Sequence, residues 1–181
     1  MKLLPPPARE EICITLIGMP GAGKSTIGQQ LARQLQWALL DTDHLIEAAY
    51  GLPLQAITDA LGKEAFLDVE ADVVASVRAS RTVLATGGSV VYRESAMTRL
   101  RELGPVVYLD VPFAAIEERV ARNPQRGLAI APGQTLRDIY EERAALYDRY
   151  ASLRVDMADA SPAGCTERIL LALRDAGLLP A

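Results

Sequence analysis

The run Ile12-Cys-Ile-Thr-Leu-Ile17 leads into Gly18-Met-Pro-Gly-Ala-Gly23-Lys24-Ser25-Thr26, and this stretch decides the fold. The first part is apolar and strand-like, and the residues from Lys24 to Leu35 have helical spacing. The turn between them satisfies the pattern G-x-x-x-x-G-K-[ST] in the strand–loop–helix context that its mechanism requires. Glycines allow backbone N–H groups to turn inward, and the helix N-terminus adds partial positive charge. The stretch therefore predicts a phosphate-binding loop.

The chemistry of a bound nucleotide assigns roles to the residues of this loop. Lys24 would reach the β- and γ-phosphates, and the Ser25 hydroxyl would be offered to Mg²⁺. The predicted nucleotide-binding residues of the loop are Gly21, Ala22, Gly23, Lys24, Ser25 and Thr26. ATP and Mg²⁺ are the expected ligands, but GTPases, motor ATPases and kinases of nucleotides or metabolites all use such a loop. The acceptor has to be argued from other segments.

Outward from the loop, short apolar runs alternate with longer amphipathic ones. Strands are predicted at residues 12–17, 38–40, 82–85, 106–109 and 153–156, and helices at 24–35, 45–79 with breaks near 51–53 and 62, 95–103, 113–122, 136–150 and 166–176. This alternation indicates an α/β fold with a parallel sheet that is covered on both faces. Ligands of such sheets bind beyond the carboxyl ends of the strands. Polar residues that follow the first three strands are therefore expected to share one site.

The length of 181 residues suits one domain, predicted at 12–178 behind a flexible leader at 1–11. Residues 123–133 are rich in Pro and Gly and are predicted to form a mobile lid. A net charge of −4 gives no support for binding nucleic acid or an anionic membrane. The sequence shows no long apolar span and no signal peptide, so we expect the protein to be cytoplasmic. We also expect it to be a monomer that acts on a small molecule.

Polar residues follow the second and third predicted strands. Asp41 and Asp43 are separated by one residue, and in an extended segment this spacing places both carboxylates on the same side. One carboxylate would hold Mg²⁺ through water, and the other would accept a hydrogen bond from a substrate hydroxyl and take its proton. Asp41 is also in a position to cap the next helix. Beyond the third strand, Gly87 and Gly88 would let backbone N–H groups approach a ligand.

Three segments resemble, in order and spacing, the motifs of the shikimate kinase family: Gly18 to Ser25, Leu40-Asp-Thr-Asp-His-Leu-Ile-Glu47 and Thr86-Gly-Gly88. The likeness covers most of residues 12–156 and includes an Arg-x-x-Leu-Tyr segment at 143–147. It implies a three-layer αβα P-loop kinase fold of the nucleoside-monophosphate-kinase type, with a five-stranded sheet in the order 2-3-1-4-5. It also implies transfer of the γ-phosphoryl group of ATP to shikimate, giving shikimate 3-phosphate in amino-acid biosynthesis.

The resemblance also implies a role for each matching residue. Its catalytic residues would be Lys24, Asp43 and Arg126, with Ser25 and Asp41 at the metal. Its acceptor-binding residues would be Asp43, Gly87, Gly88, Ser89 and Arg143. Asp43 would bind the substrate hydroxyls and act as base, while Arg143 would bind the substrate carboxylate. Arg126 would close over the phosphates from the lid, and Arg122 would lie against the adenine.

The acceptor half departs from the family pattern. Leu67 stands where shikimate kinases carry a second carboxylate-binding arginine, in the segment Phe66-Leu-Asp-Val-Glu70. A charge-assisted hydrogen bond contributes about 1.5–3 kcal/mol, so its loss should weaken shikimate binding on the order of tenfold to a hundredfold. Ser89 replaces a third glycine, and the lid reads Arg-Gly-Leu-Ala at 126–129 instead of Arg-Pro-Leu-Leu. Asp68 adds a negative charge beside Leu67.

Two alternatives stay open at this stage. Asp68 is expected to lie on the ordinary solvent-facing surface of its helix. If it instead faces the pocket, a smaller acceptor with a carboxylate, an amine and a hydroxyl, such as homoserine, would suit the altered site. A second alternative is a regulatory module that binds a nucleotide without turnover. The residues that argue against the module are Lys24, Ser25, Asp41, Asp43 and Arg126.

Overall fold

The computed structural model describes residues 12–122, 133–158 and 161–179. Its strands are β1 (Ile14–Ile17), β2 (Ala38–Asp41), β3 (Thr82–Ala85), β4 (Val106–Asp110) and β5 (Leu153–Asp156). Its helices are α1 (Lys24–Leu35), α2 (Thr42–Tyr50), α3 (Leu54–Ser76), α4 (Glu94–Leu103), α5 (Phe113–Ala121), α6 (Leu136–Tyr150) and α7 (Pro162–Asp175), with a short 3₁₀ helix at Val90–Tyr92. The predicted leader and most of the predicted lid, including Arg126, lie outside the described residues.

The five strands form one parallel sheet in the order β2-β3-β1-β4-β5. In the centre, Thr15 pairs with Leu84 of β3 on one side and with Val106 of β4 on the other. β1 and β3 are buried along their whole length, as expected for strands covered on both faces. The parallel α/β fold and the sheet order implied by the family resemblance are both confirmed.

The helices pack on the sheet and on one another. α1 packs with α7 and against β2 and β3, while α3 packs with α4. The rings of Tyr108 in β4 and Tyr147 in α6 lie 5.1 Å apart and hold α6 against the core. Because residues four apart share a helix face, this contact also turns Arg143 inward. In the described part of the chain, no helix is both long and apolar enough to span a membrane.

The element boundaries lie close to the predicted ones, although β1 begins at Ile14 and not at 12 and α3 ends at Ser76 and not at 79. Two helix starts differ more clearly. α2 begins at Thr42 and not near residue 45, because Asp41 caps it. α7 begins at Pro162 and not at 166, because Ser161 caps that end and proline is tolerated in the first turn. The first turn consists of small residues, so hydrophobic periodicity does not indicate it. The predicted break near Gly62 is confirmed, because Gly62 has φ 73° and ψ 171°, outside the helical region, and forms a kink between two helical stretches of α3.

Candidate active site

The phosphate loop runs from Gly18 to Gly23 between β1 and α1. Gly23 stands at the start of α1 with φ 92°, in the left-handed region that favours glycine. At Gly18 a side chain is excluded, because a Cβ atom would lie 2.9 Å from the backbone oxygen of Leu109. No side chain of the described residues caps this end of α1. A helix N-terminus of this kind favours an anion.

Lys24 is folded over the phosphate loop. Its Nζ donates to the backbone oxygens of Gly18 at 2.7 Å and Met19 at 3.0 Å, and the residue is 8% exposed. A buried ammonium group beside a helix N-terminus makes the loop strongly cationic, so a phosphate group is the ligand that suits it. The geometry agrees with the predicted role of Lys24.

Of two arginines near the end of α5, Arg119 contacts the phosphate loop. Its Nη1 donates to the backbone oxygen of Gly21 at 3.0 Å. Arg122, which the resemblance placed against the adenine, is exposed and forms an ion pair with Glu118. Sequence reasoning overlooked Arg119, which precedes Arg122 by three residues, about one helical turn. The contact makes Arg119 the better candidate for a nucleotide contact.

Asp41 has two partners at the end of β2. Its Oδ2 accepts a hydrogen bond from Ser25 Oγ at 2.7 Å, and its Oδ1 accepts one from the backbone N–H of Asp43 at 3.1 Å. Asp41 therefore caps α2 and meets the phosphate loop at the same time. The expectation of an extended segment from Asp41 to Asp43 is wrong, because α2 begins at Thr42. Both aspartates nevertheless line one cavity.

The Ser25–Asp41 pair fits a divalent cation that is shared with a nucleotide. Mg²⁺ is usually held by one or two protein oxygens together with phosphate oxygens and water. A hydroxyl and a carboxylate at 2.7 Å, beside the loop lysine, supply such oxygens. Within residues 12–122, 133–158 and 161–179, no group of three or more His, Cys, Asp or Glu side chains forms a separate metal site.

The carboxyl group of Asp43 has an unused hydrogen-bond acceptor. Its Oδ1 is buried and has no hydrogen-bond partner among the described residues. Burial and the negative charge of Asp41 raise the pKa of Asp43 to about 6, although Lys24 opposes the shift. A carboxylate with a pKa nearer neutrality is a better proton acceptor than an ordinary aspartate. The environment of Asp43 suits the predicted role of base.

The glycine pair after β3 is held from two sides. The N–H of Gly87 donates to Thr42 Oγ1 at 3.3 Å, and the backbone oxygen of Gly88 accepts from Tyr147 Oη at 2.6 Å. A Cβ atom on Gly88 would lie 2.6 Å from Pro20 Cδ of the phosphate loop. The absence of side chains here thus allows the two halves of the site to approach each other.

Arg143 is 1% exposed and lies against Gly88, where a Cβ atom would be 3.0 Å from its Nη1. Its Nε donates to Tyr92 Oη at 3.2 Å, while its Nη2 is buried without a partner in the described chain. A buried guanidinium nitrogen with an unused hydrogen is costly unless a ligand accepts it. Arg143 therefore has the geometry expected of a group that binds a carboxylate.

Glu70 of α3 is a site residue that sequence reasoning missed. The residue is 1% exposed, and neither carboxyl oxygen has a partner in the part of the chain that the structure describes. Burial and the charge of Asp43 raise the pKa of Glu70 to about 7, although the hydroxyl group of Ser89 favours the ionised form. A Cβ atom on Gly87 would collide with Glu70 Oε1 and lie 2.8 Å from Asp43 Oδ1, so both carboxyl groups converge on Gly87.

The side chains of Leu67 and Asp68, which precede Glu70 on α3, point to opposite environments, the protein interior and the solvent. Leu67 is 2% exposed and lies inside the protein. Asp68 is exposed and its Oδ1 forms an ion pair with Arg93 Nε at 2.7 Å. The possibility that Asp68 faces the pocket is therefore wrong. Ser89, which the resemblance places beside the acceptor, is 7% exposed and lines the cavity together with Phe66.

One cavity of about 980 Å³ joins the two halves of the site. Its lining includes Lys24 and Ser25 at the start of α1, Asp41 and Asp43 at the end of β2 and the start of α2, and Gly87 and Gly88 after β3. The three polar segments predicted to meet at the carboxyl edge of the sheet do meet there. Phosphate-binding groups and a candidate base thus line the same cavity.

Comparison with known proteins extends the likeness along nearly the whole chain. Residues 20–174 match the family model described as shikimate kinase. Shikimate kinase of Paracidovorax citrulli is 36% identical over 176 residues, covering 94% of this chain and 96% of that protein. The corresponding protein of Chromohalobacter salexigens is 39% identical over 160 residues, covering 87% and 89%. The structure of shikimate kinase from Acinetobacter baumannii in complex with shikimate superposes with a TM-score of 0.84 at 30% identity, covering 93% and 96%.

Proposed function

The chain belongs to the shikimate kinase family, and on that premise we propose how its residues transfer a phosphoryl group from ATP to shikimate. The chain is an ATP-dependent phosphotransferase, and the family match favours this reading over a non-catalytic regulatory module. The observation that carries the assignment of residues is the meeting of Lys24, Asp43 and Gly88 in one cavity.

At the donor end, the phosphate loop holds the triphosphate. Backbone N–H groups of residues 21–26 and the Lys24 ammonium group would surround the β- and γ-phosphates. Ser25 and Asp41 would hold Mg²⁺, which when bound neutralises phosphate charge that develops during transfer. Arg119 would add a cation next to Gly21. Arg126 stays a predicted lid residue outside the described chain.

At the acceptor end, the arrangement orients a hydroxy acid. Arg143, whose Nη2 is unused in the described chain, would bind the carboxylate. Asp43 would accept the hydrogen bond of the reacting hydroxyl group. As the hydroxyl oxygen forms its bond to the γ-phosphorus, the bond to the β,γ-bridging oxygen breaks and its electron pair leaves with ADP. The hydroxyl proton passes to Asp43.

The proposal is tested with the purified chain, MgATP and shikimate. We expect release of ADP that depends on shikimate, and one phosphate ester of shikimate detected by mass spectrometry. Asp43→Asn serves as the matched control, because it keeps the size of the side chain and removes the base while the phosphate loop is untouched. Failure to phosphorylate shikimate, with MgATP bound normally, would contradict the proposal. The monomeric state and the cytoplasmic location stay predictions.

A further inference from the structure

The acceptor end carries more negative than positive groups that lack partners. Asp43 Oδ1 and both oxygens of Glu70 are buried without partners in the described residues, and only Arg143 offers an unused buried donor beside them. A carboxylate on the acceptor would occupy Arg143, and a hydroxyl group would occupy Asp43. The Glu70 carboxyl group then remains, and leaving it buried and unpaired costs free energy.

The surroundings of Glu70 offer it no cation from α3. Leu67, three residues earlier and so on a neighbouring turn of the same face, is apolar and buried. Arg143 and Lys24 act electrostatically on the Glu70 carboxyl group, but its two oxygens accept no hydrogen bond from the described residues. Lys24 serves the phosphate loop. A ligand with a positive group would supply the hydrogen-bond donor that the Glu70 carboxyl group lacks among the described residues.

The three unused groups lie close together. The Asp43 and Glu70 carboxyl groups both converge on Gly87, and the Arg143 guanidinium group lies against the next residue, Gly88. A ligand that meets all three groups therefore binds beside two adjacent residues, Gly87 and Gly88.

We propose that the site accepts, besides shikimate, small hydroxy acids that carry an ammonium group, and that Glu70 selects for this group. This inference rests on the proposed phosphotransferase function. The acceptor carboxylate binds Arg143 and the acceptor ammonium group binds Glu70. The reacting hydroxyl oxygen forms its bond to the γ-phosphorus, ADP leaves with the electron pair of the broken bond, and Asp43 takes the proton.

Two acceptors that differ in the ammonium group alone test the proposal. Homoserine and 4-hydroxybutyrate share a four-carbon chain, a carboxylate and a terminal hydroxyl group. With the full chain and MgATP, we expect kcat/KM for homoserine to exceed that for 4-hydroxybutyrate by about tenfold to a hundredfold, the effect of one charge-assisted hydrogen bond. Both ADP release and the mass of the phosphorylated product are measured.

Variants on α3 test whether Glu70 causes the preference for homoserine over 4-hydroxybutyrate. Glu70→Gln keeps the shape of the side chain and should reduce the ratio between the two acceptors to near one. Asp68→Asn removes the exposed acid two residues earlier, which pairs with Arg93, and should keep the wild-type ratio. Leu67→Arg would place a guanidinium group on the turn next to Glu70 and should lower turnover of homoserine, which provides a second test if Glu70→Gln does not fold.

A parallel assay with shikimate distinguishes failure of this inference from failure of the proposed function. Turnover of shikimate with no turnover of homoserine overturns the inference and leaves the proposed function intact. Equal kcat/KM for homoserine and 4-hydroxybutyrate, or a ratio that survives Glu70→Gln in a folded variant, also overturns it. No turnover of any acceptor, with MgATP bound, refutes the proposed function and the inference together.

Discussion

Replacing Glu70 by Gln should change how the stability of the protein depends on pH. The side chain keeps its shape, but the buried group can no longer ionise. In the folded protein burial raises the pKa of Glu70 from the ordinary 4.5 to about 7. The protonated form is therefore favoured by folding. The stability that this group contributes is fully present below about pH 4.5 and is lost as the pH rises through about 7.

The size of the effect follows from the shift in pKa. Each unit corresponds to about 1.4 kcal/mol of differential stability. Integrated between about pH 5 and about pH 8, the ionisation of Glu70 should remove about 2 to 3 kcal/mol from the free energy of unfolding of the wild type. In Glu70→Gln this loss should be absent. The free energy of unfolding of the variant should therefore rise relative to that of the wild type by the same amount as the pH rises.

Urea denaturation of both proteins at the two pH values measures this difference. Any constant cost of the new amide, such as an unsatisfied N–H, affects both pH values equally and cancels. The reasoning is refuted if the difference in unfolding free energy between the two proteins is the same at about pH 5 and about pH 8.

Three further predictions concern the reaction itself. The rate constant kcat/KM for shikimate should fall on the acid side with a midpoint near pH 6, because Asp43, with its pKa raised to about 6 by burial, must be ionised to accept the proton; a midpoint near 4 in the pH–rate profile would argue against Asp43 as base. Asp43→Asn should lower kcat by about 10²- to 10⁴-fold and leave MgATP affinity in calorimetry nearly unchanged. Arg119→Ala should raise the KM for ATP by about tenfold through loss of its contact at Gly21, and by more than Arg122→Ala does; equal effects would mean that the contact is incidental.

Much of the fold could be predicted because its signals are local. The alternation of apolar runs and helical spacing follows from the periods of the two structures, and the bounds of α6 and β5 agree with it to the residue. The phosphate loop is also local, since strand, glycines and lysine are contiguous. The order of the strands was implied by the family resemblance, because periodicity carries no information on which strands are neighbours.

The errors have equally physical causes. The start of α2 was placed too late because Asp41 was considered mainly as a metal or substrate ligand, while its carboxylate also caps the helix. Arg119 was overlooked because its contact joins residues 98 positions apart. Asp68 and Glu70 lie two residues apart on one helix, so only the direction of each side chain shows that Asp68 faces Arg93 and Glu70 faces Gly87.

The amino-acid sequence by itself determined the parallel α/β architecture, the phosphate loop and the candidate base, because each depends on neighbouring residues or on a regular period. Only the tertiary structure decided which groups surround the acceptor. Asp43, Glu70, Gly88 and Arg143 come from four different segments, and the burial of unpartnered atoms of Asp43, Glu70 and Arg143 is a property of packing. The pKa values of Asp43 and Glu70 shift for the same reason, since removal of water from a carboxylate requires walls that distant parts of the chain supply.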